Sequence, residues 1–229
     1  MTKREQKTVW ITRTLPSALE SGAVFKRAGF LPVIAPLLKV IAVPAHSDIA
    51  QDCVLVFTAQ NGVRAFAAAH ERRGNAVICV GDATAALARE LGFTNVTSAK
   101  GTARDIAPLI ARAPQADKIY LHISGEHVRG QVCADIEGLG LRARRLKYYR
   151  SEPAGLAGNV DLPRMDFAAL FSPLAAKTLA GLKLDMSHIS AVSLSPAVDA
   201  ELDGMTLKSR FIAAAPTLES LIAAARASE

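Results

Sequence analysis

Short, continuously apolar runs alternate along this chain with longer amphipathic stretches, and the alternation predicts strands that are each followed by a helix. Residues 54–57, 76–80 and 119–123 are such runs, which are typical of strands in a parallel sheet covered by helices on both faces. The pattern favours an α/β fold of doubly wound parallel sheets, of the flavodoxin or Rossmann type. The predicted strands are 9–12, 33–43, 54–57, 76–80, 95–97, 119–123, 142–149, 167–171, 189–194 and 211–214, and the predicted helices are 16–28, 61–72, 83–91, 103–113, 128–138 and 173–182, with two more after the last two strands.

This plan occurs twice in the chain. Phe57 and Phe171 end equivalent apolar runs and lie 114 positions apart (171 − 57). At the same offset residues 79–84 align with 193–198, and a third strand–turn–helix segment follows one residue out of phase. Two similar halves predict two lobes with a cleft between them, and clefts are where proteins bind ligands.

The second copy of the plan has only three strand–helix units, so the N-terminal strand and helix need a sheet to join. We predict that they join the C-terminal copy and that lobe one is therefore discontinuous. Two proline-containing segments would then form a two-stranded connector. The predicted boundaries are 1–36 and 165–229 for lobe one, 49–148 for lobe two, and 37–48 and 149–164 for the connector.

Composition and charge are compatible with a globular enzyme. Half of the 229 residues are apolar and 21% are charged, which is enough apolar residue for a substantial core. The formal net charge of +6 would suit nucleic acid, a membrane surface or a polyanionic small molecule, and many ordinary enzymes carry such a charge. Arg142, Arg144, Arg145 and Lys147 alternate along a predicted strand, which indicates a solvated edge. A nucleic-acid surface stays open there, although no aromatic stacking pattern accompanies these cations.

The cysteines and the apolar runs indicate where the protein resides. Cys53, Cys79 and Cys133 are odd in number and lack CxxC spacing, so we expect buried thiols in a reducing compartment. The apolar run 31–43 is interrupted by two prolines and a lysine and is too short to span a bilayer. The charged residues 1–7 lead into no long apolar region, so a secretory signal is not expected. A cytoplasmic protein is the prediction.

Polar residues cluster in the loops that follow the predicted strands. In parallel sheets ligands bind at the carboxyl ends of the strands, where loops lead into helix N-termini. These termini expose unpaired N–H groups and partial positive charge, which attract carboxylates and phosphates. Simple helix capping by the same Ser, Thr and Asp side chains is the alternative. The candidate binding residues are Thr12, Arg13, Thr58, Gln60, Asn61, Gly62, Thr84, Gly101, Thr102, Ser124, Gly125 and Ser172.

Several common catalytic motifs are absent from the sequence. No GxGxxG follows the first strand and no GxxxxGK[ST] occurs, so neither a dinucleotide nor a P-loop nucleotide site is predicted. The five histidines lack paired-ligand spacing, so no metal is expected. Ser124 and His127 lie three positions apart, but no GxSxG motif surrounds the serine.

Tyr149 ends the last predicted strand of lobe two, where the connector begins. A phenol at this place is expected to point into the space between the lobes. It would donate a proton or a hydrogen bond to a leaving group there. The alternative is that Tyr148 or Tyr149 simply packs at the hinge.

Seven short motifs resemble those of the uroporphyrinogen-III synthase family and occur in that family's order. Each is short, and the ordered series over nearly the whole chain carries the resemblance. The motifs are Ile-Thr-Arg at 11–13, Val-Phe-Thr-Ala-Gln-Asn-Gly-Val at 56–63, Val-Gly-Asp-Ala-Thr-Ala at 80–85, Gly-Thr-Ala at 101–103, His-Ile-Ser-Gly at 122–125, Tyr-Tyr at 148–149 and Leu-Phe-Ser-Pro at 170–173.

The resemblance implies two α/β lobes joined by a two-stranded connector, and a cofactor-free enzyme of tetrapyrrole and heme biosynthesis. The implied substrate is linear hydroxymethylbilane, which carries eight carboxylates. Such enzymes remove water, invert the last pyrrole through a spiro intermediate and close the ring to uroporphyrinogen III. The resemblance assigns hydroxyl loss to Tyr149 and places Thr84 in the cleft. It implies hand-over of substrate from hydroxymethylbilane synthase, and neither nucleic acid nor a membrane as a partner.

Two positions depart from the family's pattern. Ala59 stands where a serine is common, and Val198 stands where many relatives have threonine. A valine cannot hydrogen-bond a substrate, so a proton-transfer role at position 198 is in doubt here. A mechanism that depends on holding the substrate's conformation is unaffected.

Two other functions stay open on the sequence alone. One is a non-catalytic bilobed module that binds a small anion, since two lobes and a hinge would serve it equally well. The other is a nucleotide-sugar transferase of two Rossmann-like lobes, against which the missing phosphate-binding glycine pattern counts. No long exposed apolar helix face is apparent, so a monomer is expected.

Overall fold

A computed structural model describes residues 6–44, 49, 52–128, 130–158 and 160–227. In this part of the chain strands and helices alternate as the apolar pattern predicted. The strands are β1 Thr8–Ile11, β2 Leu31–Ile34, β3 Leu38–Ala42, β4 Cys53–Phe57, β5 Ala76–Cys79, β6 Asn95–Ser98, β7 Ile119–Gly125, β8 Arg142–Pro153, β9 Phe167–Leu170, β10 Met186–Ser193 and β11 Leu207–Ile212. The α-helices are α1 Ser17–Arg27, α2 Gln60–Ala69, α3 Asp82–Glu90, α4 Ile106–Ala111, α5 Val132–Glu137, α6 Pro173–Gly181, α7 Pro196–Asp199 and α8 Leu218–Arg226.

The described residues fall into two compact units. Unit one comprises those within Met1–Lys39 and Glu152–Glu229, and unit two comprises those within Val40–Ser151. The chain therefore passes between the units twice, at β3 and at β8. The predicted lobe ends at 36 and 148 lie three residues from the unit ends at 39 and 151, whereas the predicted starts at 49 and 165 lie further from 40 and 152. The lobe boundaries remain predictions.

Unit one contains a five-stranded parallel sheet in the order β11-β10-β9-β1-β2. The N-terminal strand β1 lies beside the C-terminal strand β9, with Trp10 opposite Ala168. Helices α1 and α8 cover one face around Phe25, and α6 and α7 cover the other around Trp10. The indole Nε1 of buried Trp10 donates to the carbonyl of Ala35 at 2.6 Å, so the large ring is buried with its polar atom satisfied.

Unit two contains a six-stranded sheet in the order β3-β8-β7-β4-β5-β6. The five strands from β8 to β6 are parallel. Two hydrogen bonds join β3 to β8: the Val43 N–H donates to the Tyr148 carbonyl, and the Ala154 N–H donates to the Leu37 carbonyl. Position numbers rise on one strand as they fall on the other, so this pair is antiparallel.

Helices cover both faces of the unit two sheet, which explains why a central strand such as β4 is apolar throughout. Helices α2 and α3 pack on one face, where Phe57, Phe66 and Phe93 meet edge to face or tilted. Helices α4 and α5 pack on the other face around Val54 and Val56. Every residue of β4 is buried.

The repeat seen in the sequence is present in the sheet orders. Strands β4, β5 and β6 are neighbours in unit two, as β9, β10 and β11 are in unit one. Beside them, β7 occupies the place in unit two that β1 occupies in unit one. The predicted α/β class with two parallel-sheet lobes is confirmed.

Two predicted strands differ from the structure. The predicted strand 33–43 is two strands, β2 and β3, which belong to different sheets. The predicted strand 142–149 continues to Pro153. Its later part pairs with β3, because the backbone hydrogen bonds to that strand begin at Tyr148. The four cations lie before this pairing and are exposed, as the predicted solvated edge requires.

Candidate active site

Most candidate residues of unit two lie at one edge of its sheet. Because β4, β5, β7 and β8 are parallel, their carboxyl ends meet at the same edge. Thr58 follows the end of β4, and Ser124 and Gly125 end β7. The register pairs Phe57 with Ile123, so these three residues occupy adjacent strand ends.

A β-bulge brings Tyr149 to this edge. The register pairs Ser124 with Lys147 and then Gly125 with Tyr149, so Tyr148 is the extra residue on β8. Residues opposite each other on neighbouring strands share a face, and one extra residue reverses the faces that follow it. The bulge therefore gives Tyr149, rather than Tyr148, the position opposite Gly125.

The ring of Tyr149 packs directly on Gly125. A Cβ atom added to Gly125 would lie 2.7 Å from Cε2 of the ring and 3.2 Å from the phenol oxygen. The first distance is well inside van der Waals contact, so a glycine is needed here. The Gly125 backbone N–H hydrogen-bonds the phenol, and the Glu126 N–H donates to the Tyr149 carbonyl at 2.9 Å.

The environment keeps the Tyr149 phenol protonated. Burial raises its pKa, and the Gly125 hydrogen bond and the positive charge of Arg145 oppose this rise only in part. A protonated phenol is a hydrogen-bond and proton donor. The group therefore has the form that the loss of a hydroxyl requires.

Arg145 also contributes to this end of the sheet. The sequence placed it on a solvated outer strand and gave it no part in a site. Its Nε donates to Ser124 Oγ at 2.9 Å, and its Nη2 donates to the carbonyls of Gly125 at 2.7 Å and Glu126 at 2.5 Å. Sequence inspection missed it because its role depends on β8 lying beside β7. The one available signal is its place four residues before Tyr149 on the same strand.

His122 and Thr58 form a polar pair near the carboxyl ends of β7 and β4. The Nε2 of buried His122 and the Oγ1 of Thr58 are 2.9 Å apart. Burial, and to a lesser degree the charge of Arg145, lowers the pKa of His122 to about 4. The imidazole is neutral at neutral pH and fixes the Thr58 hydroxyl through a hydrogen bond.

The depressed pKa of His122 predicts a loss of stability in acid. The unfolded chain binds a proton at His122 below about pH 6.5, whereas the folded protein does so only near pH 4. Stability is therefore fully present above the unfolded pKa and lost as pH falls toward the folded pKa. We expect the free energy of unfolding, measured with urea, to fall as the pH is lowered from about 7.5 to about 4.5. This fall should be roughly 2 kcal/mol smaller in His122→Gln than in the wild type. An equal fall in the free energy of unfolding in both proteins would contradict a buried neutral imidazole at His122. Burial also lowers the pKa of His70, but this residue is present in both proteins and does not affect the difference.

The remaining candidates of unit two mostly make internal contacts. Gln60 Nε2 donates to the Ala83 carbonyl at 3.2 Å, which joins the starts of α2 and α3. A Cβ on Gly62 would lie 2.8 Å from the Ile123 carbonyl oxygen, so this glycine permits close helix–strand packing. Thr84 is buried, and Asn61 is half-buried in the first turn of α2.

In the loop at Gly101 and Thr102, the donors of Thr102 already bind a carboxylate of the protein, that of Asp105. Asp105 Oδ2 accepts the Thr102 N–H at 2.6 Å and the Thr102 hydroxyl at 2.8 Å, a capping box. A Cβ on Gly101 would clash with the same oxygen. A substrate carboxylate would have to displace Asp105, whose pKa these two hydrogen bonds lower.

The candidates of unit one follow the carboxyl ends of the adjacent strands β1 and β9. Thr12 is fully buried and its Oγ1 donates to the Ala169 carbonyl at 2.6 Å. The Arg13 guanidinium lies 5.5 Å from the ring centre of Phe171. Ser172 Oγ accepts the Ala175 N–H at 3.2 Å and so caps α6. Of the three, Arg13 has the group best suited to an anion.

Val198 lies in the core of unit one. The residue that follows it, Asp199, accepts hydrogen bonds from Ser193 Oγ at 3.2 Å and from Arg210 Nη2 at 2.6 Å. This ion pair occupies the carboxyl ends of β10 and β11. The position where many relatives have threonine therefore has an apolar, structural side chain in this protein.

Within the described residues, no three His, Cys, Asp or Glu side chains are grouped in a way that could hold a metal ion. No helix in that part of the chain combines the length and the apolar character needed to cross a membrane.

Solved structures of known proteins share this fold. Uroporphyrinogen-III synthetase from Helicobacter pylori 26695 matches with a TM-score of 0.66 at 16% identity, over 98% of this chain and 100% of that chain. A mutant uroporphyrinogen III synthase from Thermus thermophilus matches with a TM-score of 0.58 at 16% identity, over 98% of each chain. These likenesses show the fold class, a two-lobed α/β protein of the kind that the tetrapyrrole cyclases have.

The sequence identifies the family. A family model described as uroporphyrinogen-III synthase HemD matches residues 20–223, and the chain therefore belongs to the uroporphyrinogen-III synthase family. No curated protein is significantly similar in sequence. The family match confirms the resemblance to this family, the enzyme class of a cyclising lyase, and hydroxymethylbilane as the substrate that the family implies.

Proposed function

We propose that this chain converts hydroxymethylbilane to uroporphyrinogen III, with loss of water and inversion of the last pyrrole ring. The family match over residues 20–223 carries this proposal. The substrate cyclises unaided to the wrong isomer, so the protein needs to hold a conformation more than to supply a strong acid. Several positioned donors on rigid strands and helices suit that task.

The proposed site lies at the carboxyl ends of the strands, with lobe one discontinuous and with the boundaries given from the sequence. The position of the chain crossings supports this division, because β3 and the end of β8 fall within the proposed connector segments. Candidate residues occur at the carboxyl ends of strands in both units, which is where parallel sheets bind ligands.

Tyr149 is the proposed catalytic residue. Its phenol gives its proton to the departing hydroxyl as the C–O bond breaks, so that water leaves and an electrophilic, cationic azafulvene remains. The substituted carbon of the terminal ring then attacks this electrophile and forms the spiro intermediate, which fragments and recloses. The proton released when the ring finally closes restores the phenol. The packing on Gly125 and the hydrogen bond from its N–H support this role by fixing the phenol.

The proposed carboxylate sites are the helix N-termini of unit two. The N-cap residues of α2 and α3 are Ala59 and Gly81, and neither caps its helix with a side chain. In unit one, by contrast, Ser172 and Thr217 cap α6 and α8 with their own hydroxyls. The first N–H groups of α2 and α3 are thus available to anions. Thr58, Gln60, Asn61, Thr84 and Ser124 line the same end of the unit two sheet in this proposal. Thr12 and Arg13 are the proposed ligands that follow β1 in unit one.

A cytoplasmic location and a transient hand-over of substrate from hydroxymethylbilane synthase complete the proposal. Three free cysteines, two of them buried, support a reducing compartment. The net charge of +6 supports rapid capture of an octa-anionic bilane.

The experiment that tests catalysis mixes a trace of protein with a large excess of hydroxymethylbilane. Consumption of bilane well beyond the amount of protein, and faster than the uncatalysed rate, is the expected result. A binding module would take up one equivalent and leave the uncatalysed rate unchanged or slower. That second outcome would favour the small-anion sensor instead.

A further inference from the structure

We propose that Arg145 is a positioning residue for this reaction, which holds the turn at residues 124–126 so that Gly125 and the phenol of Tyr149 stay aligned. The proposal rests on the proposed function of Tyr149. It adds a role for a residue that the sequence motifs do not include.

Three hydrogen bonds from one guanidinium fix the turn. Arg145 reaches the side chain of Ser124 and the carbonyls of Gly125 and Glu126, at 2.9, 2.7 and 2.5 Å. These acceptors are consecutive residues at the end of β7. The planar fork of an arginine can address several acceptors at once, whereas a lysine ammonium acts as a compact point charge.

The turn that Arg145 holds contains the groups that contact Tyr149. The Gly125 N–H hydrogen-bonds the phenol, and the Glu126 N–H donates to the Tyr149 carbonyl at 2.9 Å. The ring itself lies against the Cα of Gly125. Any shift of this turn therefore moves both the ring and the donor to its oxygen.

The bulge explains why a side chain is needed for this purpose. The ladder between β7 and β8 is interrupted between Ser124 and Gly125, where Tyr148 has no opposite residue. Bulges disrupt the local backbone hydrogen bonds that otherwise fix two strands to each other. The guanidinium of Arg145 binds across this interruption, from β8 to the residues just beyond the last regular pair.

The charge of Arg145 acts on the same groups. It lies opposite His122 in the register, and it lowers the pKa of both His122 and Tyr149. Arg144 differs on each point, because it pairs with Leu121 on the other face of the strand. The chain thus offers a matched control for the loss of one arginine from β8.

The test compares Arg145→Met with Arg144→Met in steady-state kinetics on hydroxymethylbilane. We expect kcat to fall about 10-fold in Arg145→Met, KM to change less than about 2-fold, and Arg144→Met to behave as the wild type. Adding Tyr149→Phe to Arg145→Met should slow the enzyme less than about 2-fold beyond Tyr149→Phe alone, because both changes remove one function. A raised KM at unchanged kcat, or fully additive losses, would overturn the proposal and make Arg145 a ligand of the substrate.

A second readout needs no activity. Ultraviolet titration of the free protein, assigned by difference from Tyr149→Phe, should show the Tyr149 pKa raised in Arg145→Met and unchanged in Arg144→Met. A Tyr149 titration that ignores the loss of Arg145 would count against the proposal. Failure of the wild type to turn over bilane would refute the proposed function, while this titration would still report on the contact.

Arg145→Lys keeps the charge and removes the fork, and it serves if the methionine variant does not fold. We expect lysine to restore the Tyr149 pKa but less than half of the lost kcat. Complete restoration of kcat by lysine would mean that charge alone matters, and would overturn the positioning role.

Discussion

Tyr149→Phe is expected to lower kcat for uroporphyrinogen III formation about 100-fold while leaving the fold intact. The change removes one oxygen and keeps the ring, whose packing on Gly125 holds the end of β8 in place. The donor to the departing hydroxyl is then missing at a site where the rest of the geometry is unchanged. Initial rates of type III product, with circular dichroism to verify the fold, measure the effect.

Tyr120→Phe is the matched control for this change. Tyr120 is buried in β7, and its phenol oxygen accepts the Gln115 N–H at 3.0 Å. Its loss should cost about 1 kcal/mol of stability and leave kcat as in the wild type. If the two phenylalanine variants turned over equally fast, Tyr149 would have no special part in the chemistry.

Gly125→Ala is expected to have a comparable effect by moving the phenol rather than removing it. The new methyl group would lie 2.7 Å from Cε2 of Tyr149, so the half-buried ring must turn aside. We expect kcat to fall about 100-fold and the free energy of unfolding to fall by roughly 1–3 kcal/mol. Kinetics and urea unfolding measure the two effects.

Two further variants separate displacement of the ring from general damage. Combining Gly125→Ala with Tyr149→Phe should be little slower than Tyr149→Phe alone, because the displaced group is already absent. Gly181→Ala, where an added Cβ meets no atom within 4 Å, is the control for a glycine-to-alanine change. A Gly125→Ala enzyme with wild-type kcat would show that the ring position is unimportant.

The sequence was sufficient for the fold because the relevant signals are local. Continuous apolar runs such as 54–57 become strands covered on both faces, and the repeat at an offset of 114 positions (171 − 57) predicts matching strand orders. The run 33–43 shows the limit. Its division into β2 and β3 depends on which sheet each half joins, and that is decided by tertiary packing.

The site was predictable only in part, for the same reason. Tyr149 became a candidate because it ends the predicted strand 142–149, and Ser124 and Gly125 became candidates because they follow the predicted strand 119–123. Arg145 was missed because its three acceptors lie on another strand, in a register altered by the bulge at Tyr148. Long-range register is not written in any short segment of sequence.

Thr12 is a candidate binding residue whose hydroxyl is already used within the fold. It follows β1, as a ligand-binding residue should, but its hydroxyl is buried and donates to Ala169 on the neighbouring strand. The direction of a hydroxyl at a strand end depends on the strand beside it, here one that lies more than 150 residues further along the chain. Its contact with the substrate stays a prediction.

The isomer composition of the product tests the central claim most directly. Hydroxymethylbilane is incubated with the protein, the products are oxidised, and the porphyrin isomers are separated by chromatography. We predict that the type III isomer predominates. The last ring is inverted only when a protein binds the bilane in a fixed conformation and directs attack at the substituted carbon. Type I isomer alone, as forms without any enzyme, would contradict it.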